Sequence, residues 1–113
     1  METKIRKGRN GVEAQTYIDI PGSATRKLSI HTSKSSRKGI STFASVAEHK
    51  DGLMSFVMFQ DFSKIVIDEP LRCTEANVRA QHTAVLNSVP DILQLVAAHY
   101  TEERNERLQK IRG

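Results

Sequence analysis

The sequence predicts an α+β fold, an antiparallel sheet of four to five strands with two C-terminal helices packed on one face as a two-layer sandwich. Three observations predict it. Apolar residues alternate with polar ones in short runs between Glu13 and Ile67. The turn-forming pairs Pro21-Gly22 and Asp51-Gly52 interrupt that alternation. From Thr74 onward the apolar spacing becomes helical.

Taken in order, residues 1–12 are charged, carry Gly8 and Gly11, and show no apolar period, so they are expected to form a flexible basic arm ahead of a single domain at 13–113. Thr16, Ile18 and Ile20 alternate with Tyr17 and Asp19 as a half-buried strand, which Pro21-Gly22 ends. Leu28 and Ile30 against Lys27, Ser29 and His31 predict the next strand, antiparallel to the first. A basic, Ser-rich loop with Gly39 as its exit follows.

The stretch from Ile40 to Ile67 is the apolar centre, since it holds Phe43, Phe56, Phe59 and Phe62, every Phe of the chain. Asp51-Gly52 marks its turn. A three-residue loop at 50–52 pairs Val46 with Phe56 and Ala44 with Met58 on one face, and Phe43 with Phe59 and Ser45 with Val57 on the other; a two-residue loop shifts this register by one. Large apolar groups then stand on both faces. Two helices cover only one, so the second face is expected to meet another copy of the chain, giving a homodimer. Residues 60–63 are polar enough to turn or bulge before a short strand at Lys64–Ile67.

Thr74, with Glu75 behind it, is an N-cap for a helix reaching about Asn87, and Pro90 sits in the first turn of a second. Ile92, Leu93, Val96, Ala97 and Tyr100 form the apolar stripe of that helix. Beyond Tyr100, Glu103 with Arg107 and Glu106 with Lys110 have the i,i+4 spacing of an exposed helix.

A chain of 113 residues has room for one domain with its own core. Cys73 is the only cysteine, so no internal disulfide forms. With no apolar leader-like segment and no apolar run of bilayer length, the chain is expected to be cytoplasmic with no membrane partner. The net charge of +4 is unevenly placed: Met1–Gly39 holds nine basic residues against three acidic ones, whereas Ile40–Pro70 holds two against five.

Four His are spread along the chain without the i,i+4 spacing of a local metal clamp, and Cys73 completes no zinc pattern, so neither a metal nor a cofactor is expected. There is no G-x-S-x-G elbow and no phosphate-binding P-loop. Asp68 and Glu69, as neighbours on a strand, point to opposite faces, and no residue is singled out as catalytic. The chain is therefore not expected to be an enzyme.

The basic residues form the candidate site. Lys4, Arg6, Lys7 and Arg9 of the arm, Arg26 and Lys27 at the head of a strand, and Lys34, Arg37 and Lys38 of the Ser-rich loop supply the charges and hydroxyl neighbours that a phosphate backbone requires. Tyr17, His31, Phe43 and Phe59 are candidates for base stacking on an exposed sheet face. The expected function is non-enzymatic binding of DNA or RNA. The alternative is a protein-interaction module, an inhibitor or adaptor that docks through an apolar sheet face or a strand edge.

Overall fold

The computed structural model describes the backbone of residues 2–9, 11–23, 25–35, 39–49 and 56–112, and their side chains except at 49, 56–61, 103, 107, 111 and 112. Among the described residues the chain forms five strands and two helices: β1 (Thr3–Gly8), β2 (Gly11–Asp19), β3 (Arg26–Lys34), β4 (Ile40–His49), β5 (Phe56–Glu69), α1 (Glu75–Leu86) and α2 (Val89–Arg112). The strands lie in sequence order in one sheet, each antiparallel to the next. The α+β arrangement read from the alternation is the one observed.

Between β2 and β3 the chain turns at Pro21-Gly22. Ser23 donates its N–H to the Ile20 carbonyl at 3.1 Å, and Gly22 has φ of +83°. Pro at the second position and a positive-φ Gly at the third are what a type II turn demands. The Thr74 hydroxyl caps α1 by accepting from the Asn77 N–H at 3.2 Å. Pro90 lies in the first turn of α2, where a missing N–H leaves no helical bond unmade.

Alternation decides which face the helices cover. Ile18 of β2, Leu28 and Ile30 of β3, and Ala44 and Val46 of β4 share a core with Val85 of α1 and Val89, Ile92 and Val96 of α2. A smaller cluster of Ala14, Ile40 and Val78, with Ile5, Val12 and Cys73 against it, closes the other end. Each large aliphatic buried here contributes about 1.5–3 kcal/mol relative to exposure. From Thr101 to Lys110 every described side chain of α2 is exposed, so the helix runs past the sheet it covers.

Two sequence expectations change. Thr3–Gly8, read from its charge as part of an arm, is edge strand β1: Ile5 packs on the smaller cluster and the Thr3 hydroxyl meets that of Thr16 at 2.7 Å. One apolar residue per strand is too few to leave an alternation.

The β4–β5 register also differs. Val46 pairs with Phe59 and Ala47 with Met58, while Phe43 pairs with Ile65 and Ser45 with Ser63. On this register His49 pairs with Phe56. Residues 60–62 are taken up as a bulge inside one long strand, and the Asp51-Gly52 turn lies outside the described residues. The face away from the helices is correspondingly polar. Gln15, Tyr17, Ser29, His31, Ser41 and Ser45 stand on it, and Phe43 and Ile65 are its large aliphatic or Phe residues among those described. Gln15 Nε2 donates to the Tyr17 hydroxyl at 2.9 Å and to Ser29 Oγ at 3.2 Å.

A polar seam crosses the helix-facing side. His82 of α1 is 2% exposed; its Nε2 lies 2.8 Å from Thr16 Oγ1 and its Nδ1 2.7 Å from Thr32 Oγ1. Thr32 Oγ1 is 2.8 Å from Thr42 Oγ1, to which Gln81 Nε2 donates at 3.1 Å while also donating to the Ile40 carbonyl. Burial, with a smaller contribution from the charge of His31, pushes the imidazole pKa down from 6.5 to about 4. The fold therefore keeps His82 neutral where the unfolded chain protonates it. Stability is complete above pH 6.5 and falls as the pH drops from there to about 4, by roughly 3 kcal/mol. Urea midpoints measured between pH 7.5 and 4 are expected to follow that slope. His82→Gln, which hydrogen-bonds without titrating, is expected to flatten it.

Candidate nucleic-acid interface

The β1–β2 hairpin, the end of β3 and the segment between β5 and α1 meet at one end of the sheet. Gly8 and Gly11 pair across the hairpin, and Gly11 takes φ of +114°. A Cβ on Gly11 would stand 2.9 Å from Cys73 Sγ, so the hairpin lies directly against the 70–74 segment. The Cys73 thiol in turn donates to the Val12 carbonyl at 3.2 Å. Asn77 Nδ2 holds the Arg72 carbonyl at 3.0 Å.

Two clefts adjoin here, of about 450 Å³ and 570 Å³, both bordered by Arg9, Gly11 and Lys34. Arg6 and Lys7 border the first, and Arg72 and Thr74 the second. Arg6, Lys7, Arg9, Lys34 and Arg72 are all exposed. Two carboxylates oppose them. Glu75 lies 3.7 Å from Lys7 Nζ and 3.4 Å from Arg79, and Glu13 meets His31 Nε2 at 3.0 Å. Among the described residues Arg6, Arg9, Lys34 and Arg72 form no ion pair. The N-terminal end of α1, with Thr74 on the rim, adds partial positive charge. Four exposed cations around a shared hollow are arranged to hold anionic oxygens.

The nine basic residues expected to act together are divided. Arg6, Lys7, Arg9 and Lys34 come to the clefts, and Lys4 stands two residues up β1, opposite Gln15. Arg26 and Lys27 begin β3 at its other end. Seven residues of strand put Lys27 about 23 Å from Lys34, beyond the reach of screened electrostatics at physiological salt. Lys27 there donates to Asp19 and holds that carboxyl below its usual range, while the Arg26 guanidinium sits 5.1 Å over the Tyr100 ring. Arg37 and Lys38 lie outside the described residues.

Arg72 was not legible as part of this group. It is 38 positions from Lys34 in sequence, and only the β4–β5 pairing returns the chain to the hairpin. Its position just before the Thr74 cap was the available signal. Of the proposed stacking groups, Tyr17, His31 and Phe43 share the face away from the helices, and the Phe59 side chain lies outside those described. His82 and His99 are elsewhere, in the sheet–α1 seam and against Phe62 at 5.5 Å.

Fold and site together define a two-layer α+β protein with a cationic groove at one end of its sheet. No protein-family model matches the chain, and neither do any curated protein or solved structure. No helix among the described residues is long and apolar enough to cross a membrane.

Gly11 is the hinge of this geometry, because a side chain there meets both an unfavourable φ and the Cys73 sulfur. Gly11→Ala is expected to cost about 1–3 kcal/mol in urea unfolding. Gly8→Ala, whose Cβ meets nothing within 4 Å, is expected to cost much less.

Proposed function

We propose that this protein binds nucleic acid without transforming it, gripping phosphates with Arg6, Arg9, Lys34 and Arg72 and with Lys7 and Lys4 beside them. The observation that carries this reading is the gathering of cations from four separate segments around adjoining clefts, with no carboxylate paired to Arg6, Arg9, Lys34 or Arg72 among the described residues. A guanidinium offers a fork to two phosphate oxygens, and an ammonium offers a point charge. Their contacts carry affinity and orientation rather than base identity. Arg37 and Lys38 belong to the same reading by their place in sequence between Lys34 and Gly39.

Binding of a fluorescein-labelled DNA or RNA oligomer, followed by anisotropy, is expected to weaken steeply with salt. Arg6, Arg9 and Lys34 replaced together by Ala are expected to reduce the log–log salt slope by about 2. Arg26 and Lys27 replaced by Ala are expected to leave it nearly unchanged. Absence of binding to any oligomer at low salt would rule the reading out.

A second reading, docking to a protein, is favoured by one feature. β5 is a 14-residue edge strand on which Ile65 is 54% exposed. An unpaired edge of that length offers its backbone groups to a strand of another chain, including a second copy in a homodimer. Light scattering is expected to give twice the chain mass, and Ile65→Lys to return the monomer. A monomer mass for the unaltered chain at micromolar concentration would set the dimer aside.

A further inference from the structure

We infer that the nucleic acid is single-stranded and crosses the sheet face opposite the helices, stacking its bases on Phe43 and His31. This rests on the phosphate-binding reading above and names its substrate class. The geometry is one continuous cross-strand row. Lys4 pairs with Gln15, Gln15 with His31, His31 with Phe43, and Phe43 with Ile65, one residue from each strand, all on the face away from the helices.

Phe43 is half-buried on that face and, among the described residues, belongs to neither hydrophobic cluster. The His31 side chain is 35% exposed, and Glu13 fixes its ring through the 3.0 Å contact. Directly opposed residues of neighbouring strands stand about 5 Å apart. The two rings thus make one surface, too close together to admit a base between them and suited to lie beneath bases laid over them. Ser33 and Ser41, paired with each other, flank them on the same face.

The row also opens onto the cationic clefts. Arg6 is on the same face two residues along β1 from Lys4 and borders the first cleft with Arg9 and Lys34. An occupant must therefore combine an anionic backbone with flat apolar rings, and a nucleic acid has both. A duplex meets only half of that requirement, since its bases are stacked on each other and their faces are not free to lie on the rings. A single strand turns its bases outward, holding phosphates at Arg6, Arg9 and Lys34 while bases reach β3 and β4. Asp68, which accepts from Ser41 on the β5 side, repels phosphates there, while Glu13, opposite Arg6 on the wall of the first cleft, is held by His31.

The test uses the full chain with a fluorescein-labelled thymidine oligomer of about 20 nucleotides and a duplex of equal length. The single strand is expected to bind at least about tenfold more tightly. Phe43→Leu, which fills the space without a ring, is expected to lose roughly 5- to 100-fold for the single strand and nothing for the duplex, with an unchanged salt slope. The chain has no Trp, so Phe43→Trp supplies a single reporter at the proposed contact, and its emission is expected to be quenched as the oligomer binds. This variant keeps the test decisive if Phe43→Leu melts early. Equal affinity for both oligomers, or unquenched emission while anisotropy reports binding, would overturn the stacking surface and leave the phosphate grip standing. Failure of both oligomers to bind at low salt would remove the phosphate grip itself.

Discussion

A neutral imidazole between two threonine hydroxyls holds α1 to the sheet. His82 meets β2 through Thr16 and β3 through Thr32, and Gln81 beside it meets β4 through Thr42. Aliphatic packing is non-directional and tolerates sliding, whereas these bonds admit one placement of the helix. An imidazole left in this seam without its partners would carry a desolvation penalty of about 1–3 kcal/mol. With α1 so placed, the capped N-terminus at Thr74 and the 70–74 segment come to rest against Gly11, and Arg72 reaches the cleft that the hairpin begins.

The clefts are products of long-range pairing. Their cations come from β1, the β1–β2 turn, the end of β3 and the segment before α1, and each alone would be an ordinary solvated charge. Gathered around one hollow, they raise the local potential and favour an anion spanning several of them. The carboxylates are distributed to limit this without cancelling it, Glu75 shared between Lys7 and Arg79 and Glu13 turned to His31. Lys27, paired with Asp19 at the other end of β3, has its charge already answered.

Much of the architecture was legible because it is written in local periods. Ile18, Leu28, Ile30, Ala44 and Val46 alternate within their strands, and Thr74 and Pro90 mark helix starts by mechanisms that act within one turn. What was illegible depends on pairing between distant segments. β1 has Ile5 alone to show an inward face. A bulge within 60–63 was legible from its polar residues, but the β4–β5 register was not: Val46 meets Phe59 rather than Phe56 ahead of the bulge, and 60–62 add three residues more. The nine candidate cations separated for the same reason. Residues close in sequence on an extended strand, such as Lys27 and Lys34, are far apart in space, while Arg72 and Arg9 are brought to one cleft.

The charges on β1 have a further consequence. β1 is an outer strand of an open sheet, with a row of backbone donors and acceptors facing away from β2. Such a row is a template on which another chain can extend the sheet and begin to aggregate. Lys4, Arg6 and Lys7 place three cations on a six-residue edge, and two copies brought edge to edge would press like charges together. The residues assigned to phosphate also guard this edge against such pairing. Neutralising them, by substitution or by a bound polyanion, would remove the repulsion that guards this edge.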